Sequence, residues 1–160
     1  MEQIDITSTM QVYENLEELS EDIQNLMKAA IESRENAYAP YSKFKVGTAI
    51  LLEEGQIITG NNQENAAYPS GLCAERVAIF HASSNYPDKK ISIIALTAKS
   101  DSHILRIPTP PCGSCRQVIA EYELKQDLPI AIYFMGEKGK VVKVDSIKAL
   151  LPLIFDQSYL

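Results

Sequence analysis

Cys73-Ala74-Glu75-Arg76 and Pro111-Cys112-Gly113-Ser114-Cys115-Arg116 hold all three cysteines of this 160-residue chain. Each stretch stands where a helix is expected to begin. The first follows a segment rich in Asn, Gly, Pro and Ser (60–72) and opens a helix from about Cys73 to Ser83. The second follows Pro108, Pro110 and Pro111 and opens a helix over about Ser114–Glu123. Between them Ile91–Ala98 is apolar and β-branched, the pattern of a buried strand. A buried strand flanked by helices implies a sheet with helices on its faces, an α/β fold.

Working outward gives the same architecture. Upstream, Val46–Leu52 reads as a buried strand, Glu53-Glu54-Gly55 as a turn and Gln56–Thr59 as the returning strand of a hairpin. Before it, Ile23, Met27, Ala30, Ile31, Arg34 and Ala37 recur at helical spacing, predicting a helix from Ser20, its N-cap, to about Tyr38, short of Pro40. Ile4, Ile6, Ser8, Met10 and Val12 alternate with other residues, as a short strand or extended arm would. Downstream, Ile130–Met135 and Val141–Val144 are strands around the turn Gly136–Gly139, and Ser146 caps a last short helix through Leu151. No repeat or interdomain linker interrupts the chain. The expected organisation is an N-terminal arm, 1–19, and one domain, 20–160, long enough to bury a single core.

Charge narrows the partners. The net charge is −6, and Met1–Met27 holds seven Asp or Glu residues and no Lys or Arg. Nucleic-acid binding needs a cationic track to replace phosphate counterions, and none is present. No apolar run reaches membrane-spanning length, and Met1-Glu2-Gln3 lacks the basic start of a secretory signal. The expectation is a cytoplasmic protein with reduced thiols, acting on a small uncharged molecule without nucleic-acid or membrane partners.

In that setting three clustered cysteines point to metal or redox chemistry rather than a disulfide framework. Cys73, Cys112 and Cys115 can hold Zn²⁺ as thiolates and leave one tetrahedral position for water, as catalytic rather than structural zinc does. Glu75, two residues beyond a ligand, can stand beside that water and carry its proton. Three thiolates around Zn²⁺ leave a formal charge of −1, which weakens the metal as a Lewis acid. Helix N-termini offset negative sulfur, and Arg76 or Arg116, each next to a ligand, can donate hydrogen bonds to it. Of the two, Arg76 is the expected donor.

The paired motifs resemble those of the zinc deaminases, in the three-cysteine form. Two further runs resemble the cytidine deaminase family in particular: Tyr38-Ala-Pro-Tyr-Ser-Lys-Phe-Lys-Val-Gly47, and Gly60-Asn-Asn-Gln-Glu-Asn-Ala-Ala-Tyr-Pro-Ser-Gly-Leu-Cys-Ala-Glu-Arg76. With Leu151-Pro-x-x-Phe155, the resemblance runs from about Ser20 to Phe155 and leaves out the first nineteen residues. It implies a three-layer α/β/α domain with a mixed central sheet, one Zn²⁺ per chain, and the homotetrameric branch of the family. It also implies hydrolytic deamination of cytidine and 2′-deoxycytidine to the uridine nucleosides and ammonia, a step of pyrimidine salvage. By the same resemblance Asn62 and Glu64 hydrogen-bond the ribose hydroxyls and Phe44 packs on the pyrimidine. Phe155 reaches a neighbouring subunit's site. The interval between Cys73 and Cys112 is longer than in compact members, which places surface insertions at Ser84–Lys90 or Ser100–Pro108.

Other readings compete. Cys112 and Cys115 alone would suit a redox pair or half of a structural zinc site. The first does not require Cys73-Ala-Glu75, and the second needs a fourth ligand. His81 lies eight residues past Cys73 on the same expected helix, over two turns away, and His103 is expected in a loop. Glu75 alone would pass for a solvated carboxylate at a helix start, Phe44 for core, Asn62 and Glu64 for turn residues, and Tyr68 for a packing or interface residue. At the level of function, the alternatives are deamination of another aminopyrimidine nucleoside such as blasticidin S, or a non-catalytic zinc-stabilised binding module.

Overall fold

A computed structural model describes residues 1–160. In chain order the elements are β1 (Gln11–Tyr13), α1 (Glu21–Glu35), β2 (Phe44–Leu52), β3 (Ile57–Asn61), α2 (Ala74–Asn85), β4 (Ile91–Ser100), α3 (Gly113–Gln126), β5 (Ala131–Met135) and β6 (Val141–Val144). The strands form one mixed sheet in the order β1-β6-β5-β4-β2-β3. Only β4 and β5 run parallel, as a crossover through α3 requires, and the hairpins β2–β3 and β5–β6 are antiparallel.

Strand alternation divides the core into two layers. Ala49 of β2, Ala95 of β4, Tyr133 and Met135 of β5 and Val141 of β6 pack with Leu26, Met27 and Ala30 of α1. Ile50, Leu52, Ile94, Leu96, Ile132 and Phe134 point to the opposite face and pack with Ala78 and Ile79 of α2 and Ile119 and Ala120 of α3. The result is an α/β domain with its sheet between helical layers.

Two glycines allow the helices to come close. A Cβ on Gly47 would lie 2.1 Å from the Ala30 carbonyl of α1. One on Gly60 would lie 2.6 Å from the Ala78 amide and 2.8 Å from the Ala74 carbonyl of α2. The second approach sets the first turn of α2, with Cys73 at its cap, against the β2–β3 hairpin.

Several boundaries differ from the sequence reading. α1 stops at Glu35 rather than Tyr38, because Asn36 and Ala37 donate to carbonyls three residues back. Tyr38 instead forms a bridge with Gln63. The last helix shrinks to one 3₁₀ turn, Ile147–Ala149, whose Lys148 amide is capped by the Ser146 side chain; Pro152 prevents a longer element. Pairing of the N-terminal segment is confined to Gln11–Tyr13, which runs antiparallel to β6, and Leu19 is buried against α1. No helix is long and apolar enough to cross a membrane.

Candidate active site

The two motifs meet at the starts of α2 and α3. Cys73 caps α2 and Cys112 caps α3, both with extended backbone and neither using its side chain for a capping bond. Their sulfurs are therefore free and lie 3.8 Å apart. Cys115, in the first turn of α3 and fully buried, completes a cluster whose three sulfurs lie within 4.8 Å of one another. Tetrahedral ligands at a zinc–sulfur distance of about 2.3 Å stand about 3.8 Å apart, so the donor set has the spacing and chemistry that zinc requires. Neither histidine belongs to it: His81 is on α2 beyond the first turn, and His103 is in the loop after β4, its Nδ1 beside the Ser102 hydroxyl.

The surroundings favour negative sulfur at Cys73. Two helix N-termini converge on the sulfurs with their unpaired amides. Arg76 Nη2 donates to Cys73 Sγ at 3.6 Å. Arg116 is occupied elsewhere, donating to the Pro111 and Leu150 carbonyls at 2.8 Å each, so it ties α3 to the chain around it. The Cys73 thiol is drawn down to about 5, foremost by its hydrogen bond with Cys115 and also by Arg76. Cys115 is pushed up, by its bond with Cys73 and then by burial. A metal held by these sulfurs would displace their protons.

Glu75 sits beside the cluster in the first turn of α2, 3% exposed. Burial pushes its carboxyl up to about 6, with the Cys73 charge adding to the effect. It borders a cavity of about 730 Å³ whose walls include Cys73 and Cys112, Phe44 and Val46 of β2, and Asn62 and Glu64 of the segment after β3. That volume suits a small molecule. Arg76 is the one lysine or arginine on the wall, and it is engaged with Cys73.

Asn62 and Glu64 are fastened to the chain opposite. Asn62 Oδ1 accepts from the Val46 amide at 2.8 Å and its Nδ2 donates to the Phe44 carbonyl at 3.0 Å. Glu64 Oε2 accepts from the amides of Tyr41 at 2.9 Å and Ser42 at 3.2 Å. Slight burial raises the Glu64 carboxyl, but the bonds from Ser42 and Tyr41 outweigh it and hold it below the usual carboxylate range.

One expected site residue lies elsewhere. Phe155 is 60% exposed, stacked on Tyr159 with ring centres 5.6 Å apart, and is absent from the cavity wall. Tyr68 is exposed and meets Tyr41 edge-on at the cavity wall.

Comparison with known proteins agrees with this geometry. Residues 20–128 match the family model of the cytidine and deoxycytidylate deaminase zinc-binding region. The chain belongs to the cytidine and deoxycytidylate deaminase family. It is 47% identical over 134 residues to a cytidine deaminase of Halalkalibacterium halodurans, covering 84% of this chain and 94% of that one. It is 41% identical to a cytidine deaminase of Sporosarcina psychrophila, covering 85% and 93%. The crystal structure of cytidine deaminase from Burkholderia pseudomallei superposes with a TM-score of 0.71 at 36% identity, covering 82% of this chain and 97% of that one. As a member of this zinc-binding family, with three sulfurs at zinc spacing, the chain carries one Zn²⁺.

The run Tyr38–Gly47 was marked by its resemblance, but the sequence reading gave no role to the Tyr41 and Ser42 amides that hold Glu64. It also missed Leu96, read only as part of a buried strand, and Thr109 and Pro110, which line the cavity ahead of Cys112.

Proposed function

We propose that this chain catalyses the hydrolytic deamination of cytidine and 2′-deoxycytidine, releasing ammonia and the corresponding uridine nucleoside. The observation that carries the proposal is the three-sulfur cluster with buried Glu75 beside a small-molecule cavity that Asn62 and Glu64 also line.

Zinc held by Cys73, Cys112 and Cys115 supplies Lewis-acid activation of water. Glu75 takes a proton from the attacking water and delivers it to pyrimidine N3, and then moves the remaining proton of the added oxygen to the leaving amino group. The oxygen adds at C4, the C4–N bond breaks and ammonia departs. A carboxyl raised by burial suits both halves of that task near neutral pH. Arg76, bonded to Cys73, offsets the excess negative charge of three thiolates. Phe44 and Val46 offer an apolar wall to the base. The free oxygen of Glu64 and the remaining capacity of the Asn62 amide address the sugar hydroxyls.

The same reading extends to assembly and setting. Phe155 is exposed and does not line its own cavity, which supports a reading in which it completes the cavity of a neighbouring copy in a homotetramer. Three free thiols suit a reducing cytoplasm, and the activity suits pyrimidine salvage.

Ammonia release by the zinc-loaded protein tests the proposal, with cytidine, 2′-deoxycytidine and CMP as substrates. The two nucleosides should turn over. CMP should not, since its phosphate finds no uncommitted lysine or arginine on the cavity wall. A folded, zinc-loaded protein inactive on both nucleosides would overturn it.

A further inference from the structure

Apart from glycines, only two residues have a left-handed backbone: Asp127 with φ 51° and Lys43 with φ 56°. Asp127 ends α3, a position where such geometry is common. Lys43 ends no helix. It ends the turn that follows Pro40 and directly precedes Phe44, the first residue of β2.

The conformation at Lys43 has a visible consequence. The chain reverses there, so that the amides of Tyr41 and Ser42 both face Glu64 Oε2, forming a small concave donor pair of the kind that binds anions. Phe44 then leaves the turn with its amide on the Ser42 hydroxyl at 3.0 Å and its carbonyl on the Asn62 side chain. Lys43's own backbone is fixed on both sides. Its amide donates to the Ala39 carbonyl at 3.2 Å, and its carbonyl accepts from the Asp101 amide at 3.0 Å. The Lys43 side chain is exposed, so packing does not account for the geometry. A disfavoured conformation over-determined by neighbours, beside a substrate cavity, is where strain serves function.

We propose that Lys43 is a positioning residue for nucleoside binding. Its left-handed backbone aims the Tyr41 and Ser42 amides at one oxygen of Glu64, and thereby holds the other oxygen toward the sugar hydroxyls. This rests on the reading of Glu64 as the sugar acceptor. The residue acts chiefly through main-chain shape; its charge has a smaller influence on the Glu64 carboxyl than the bonds from Ser42 and Tyr41.

The test compares Lys43→Val, Lys43→Gly and Glu64→Ala with the parent enzyme, all zinc-loaded. Steady-state constants are measured on cytidine and on 2′,3′-dideoxycytidine, which lacks the 2′- and 3′-hydroxyls. Valine resists the left-handed region and glycine adopts it freely. Lys43→Val should raise the KM for cytidine about tenfold with kcat little changed, the scale expected of a conformation disfavoured by roughly one factor of ten. The same variant should match the parent on the dideoxy analogue. Lys43→Gly, which removes the charge but keeps the geometry, should behave as the parent on both. If Lys43→Gly is as impaired as Lys43→Val, the ammonium group matters and the backbone proposal is overturned. If Glu64→Ala raises KM while Lys43→Val does not, Glu64 keeps its role and the Lys43 proposal alone fails. If Glu64→Ala leaves KM unchanged, the Glu64 reading fails and this proposal falls with it. Zinc content and circular dichroism of Lys43→Val guard against misfolding; where the valine variant does not fold, Lys43→Thr, also β-branched, replaces it, and a KM for cytidine equal to the parent's in that variant overturns the proposal.

Discussion

The metal end of the cavity and the end proposed to hold the sugar are built by different means. At the metal end, Cys73, Glu75, Cys112 and Cys115 lie within one turn of two helix starts, and side-chain identity supplies the chemistry. At the sugar end, Asn62 and Glu64 are held by main-chain groups of Tyr41, Ser42, Phe44 and Val46. There the backbone supplies the precision, and the identity of several residues matters less than their shape. The difference teaches that the first region should fail in chemistry and the second in binding.

The largest expected effect breaks the metal end alone. Glu75→Gln keeps the size and hydrogen bonding of the side chain but cannot carry a proton. It should retain zinc and fold while kcat drops about a thousandfold or more. Turnover near the parent level, measured as ammonia release, would remove Glu75 from the proposed proton path. Glu64→Gln is the matching change at the sugar end. Loss of one charge-assisted bond, about 1.5–3 kcal/mol, should raise KM for cytidine roughly tenfold to a hundredfold and leave kcat close to its parent value. If both variants depress the same constant, the division between the two ends is false.

Arg76→Gln sharpens the metal end itself. The guanidinium donates to Cys73 Sγ, while Arg116 is spent on the Pro111 and Leu150 carbonyls and cannot substitute. Zinc affinity should fall about tenfold, as read by competition with a chromogenic chelator. Unchanged affinity would mean that the two helix N-termini balance the thiolates unaided.

How much of this was legible in the sequence follows the same division. The α/β class and the order of helices and strands were readable, since periodicity and the Pro and Gly punctuation carry both. So was the convergence of Cys73, Cys112 and Cys115, because each cysteine stands at a helix start. The left-handed turn at Lys43 was not, since lysine carries no signal for that conformation. The end of α1 was misjudged because Ala37 continues the apolar period, while Tyr38 is drawn away by pairing with Gln63, a contact distant in sequence. Phe155 could be found as a motif residue but not placed, because nothing in the C-terminal stretch signals its stacking on Tyr159.

The smallest expected effect lies beneath the boundary between the two ends. Thr48 of β2 is fully buried, and its hydroxyl is one of two buried side-chain polar atoms without a partner. In the sheet it stands between Gly60 of β3 and Leu96 of β4, in the row that faces the first turns of α2. A buried hydroxyl without a bond costs roughly 1–3 kcal/mol, and valine has the same shape without that cost. Thr48→Val should therefore stabilise the zinc-loaded protein by about 1 kcal/mol, a rise of roughly 2–4 °C in Tm, with kcat and KM unchanged. The measurement is thermal unfolding at fixed protein and zinc concentrations, since both shift the midpoint. A lower Tm would show that the hydroxyl has a water partner in solution. A change in kcat without one in KM would place Thr48 with the metal end, as support for the turn that carries Glu75, and would extend that region one layer deeper into the sheet.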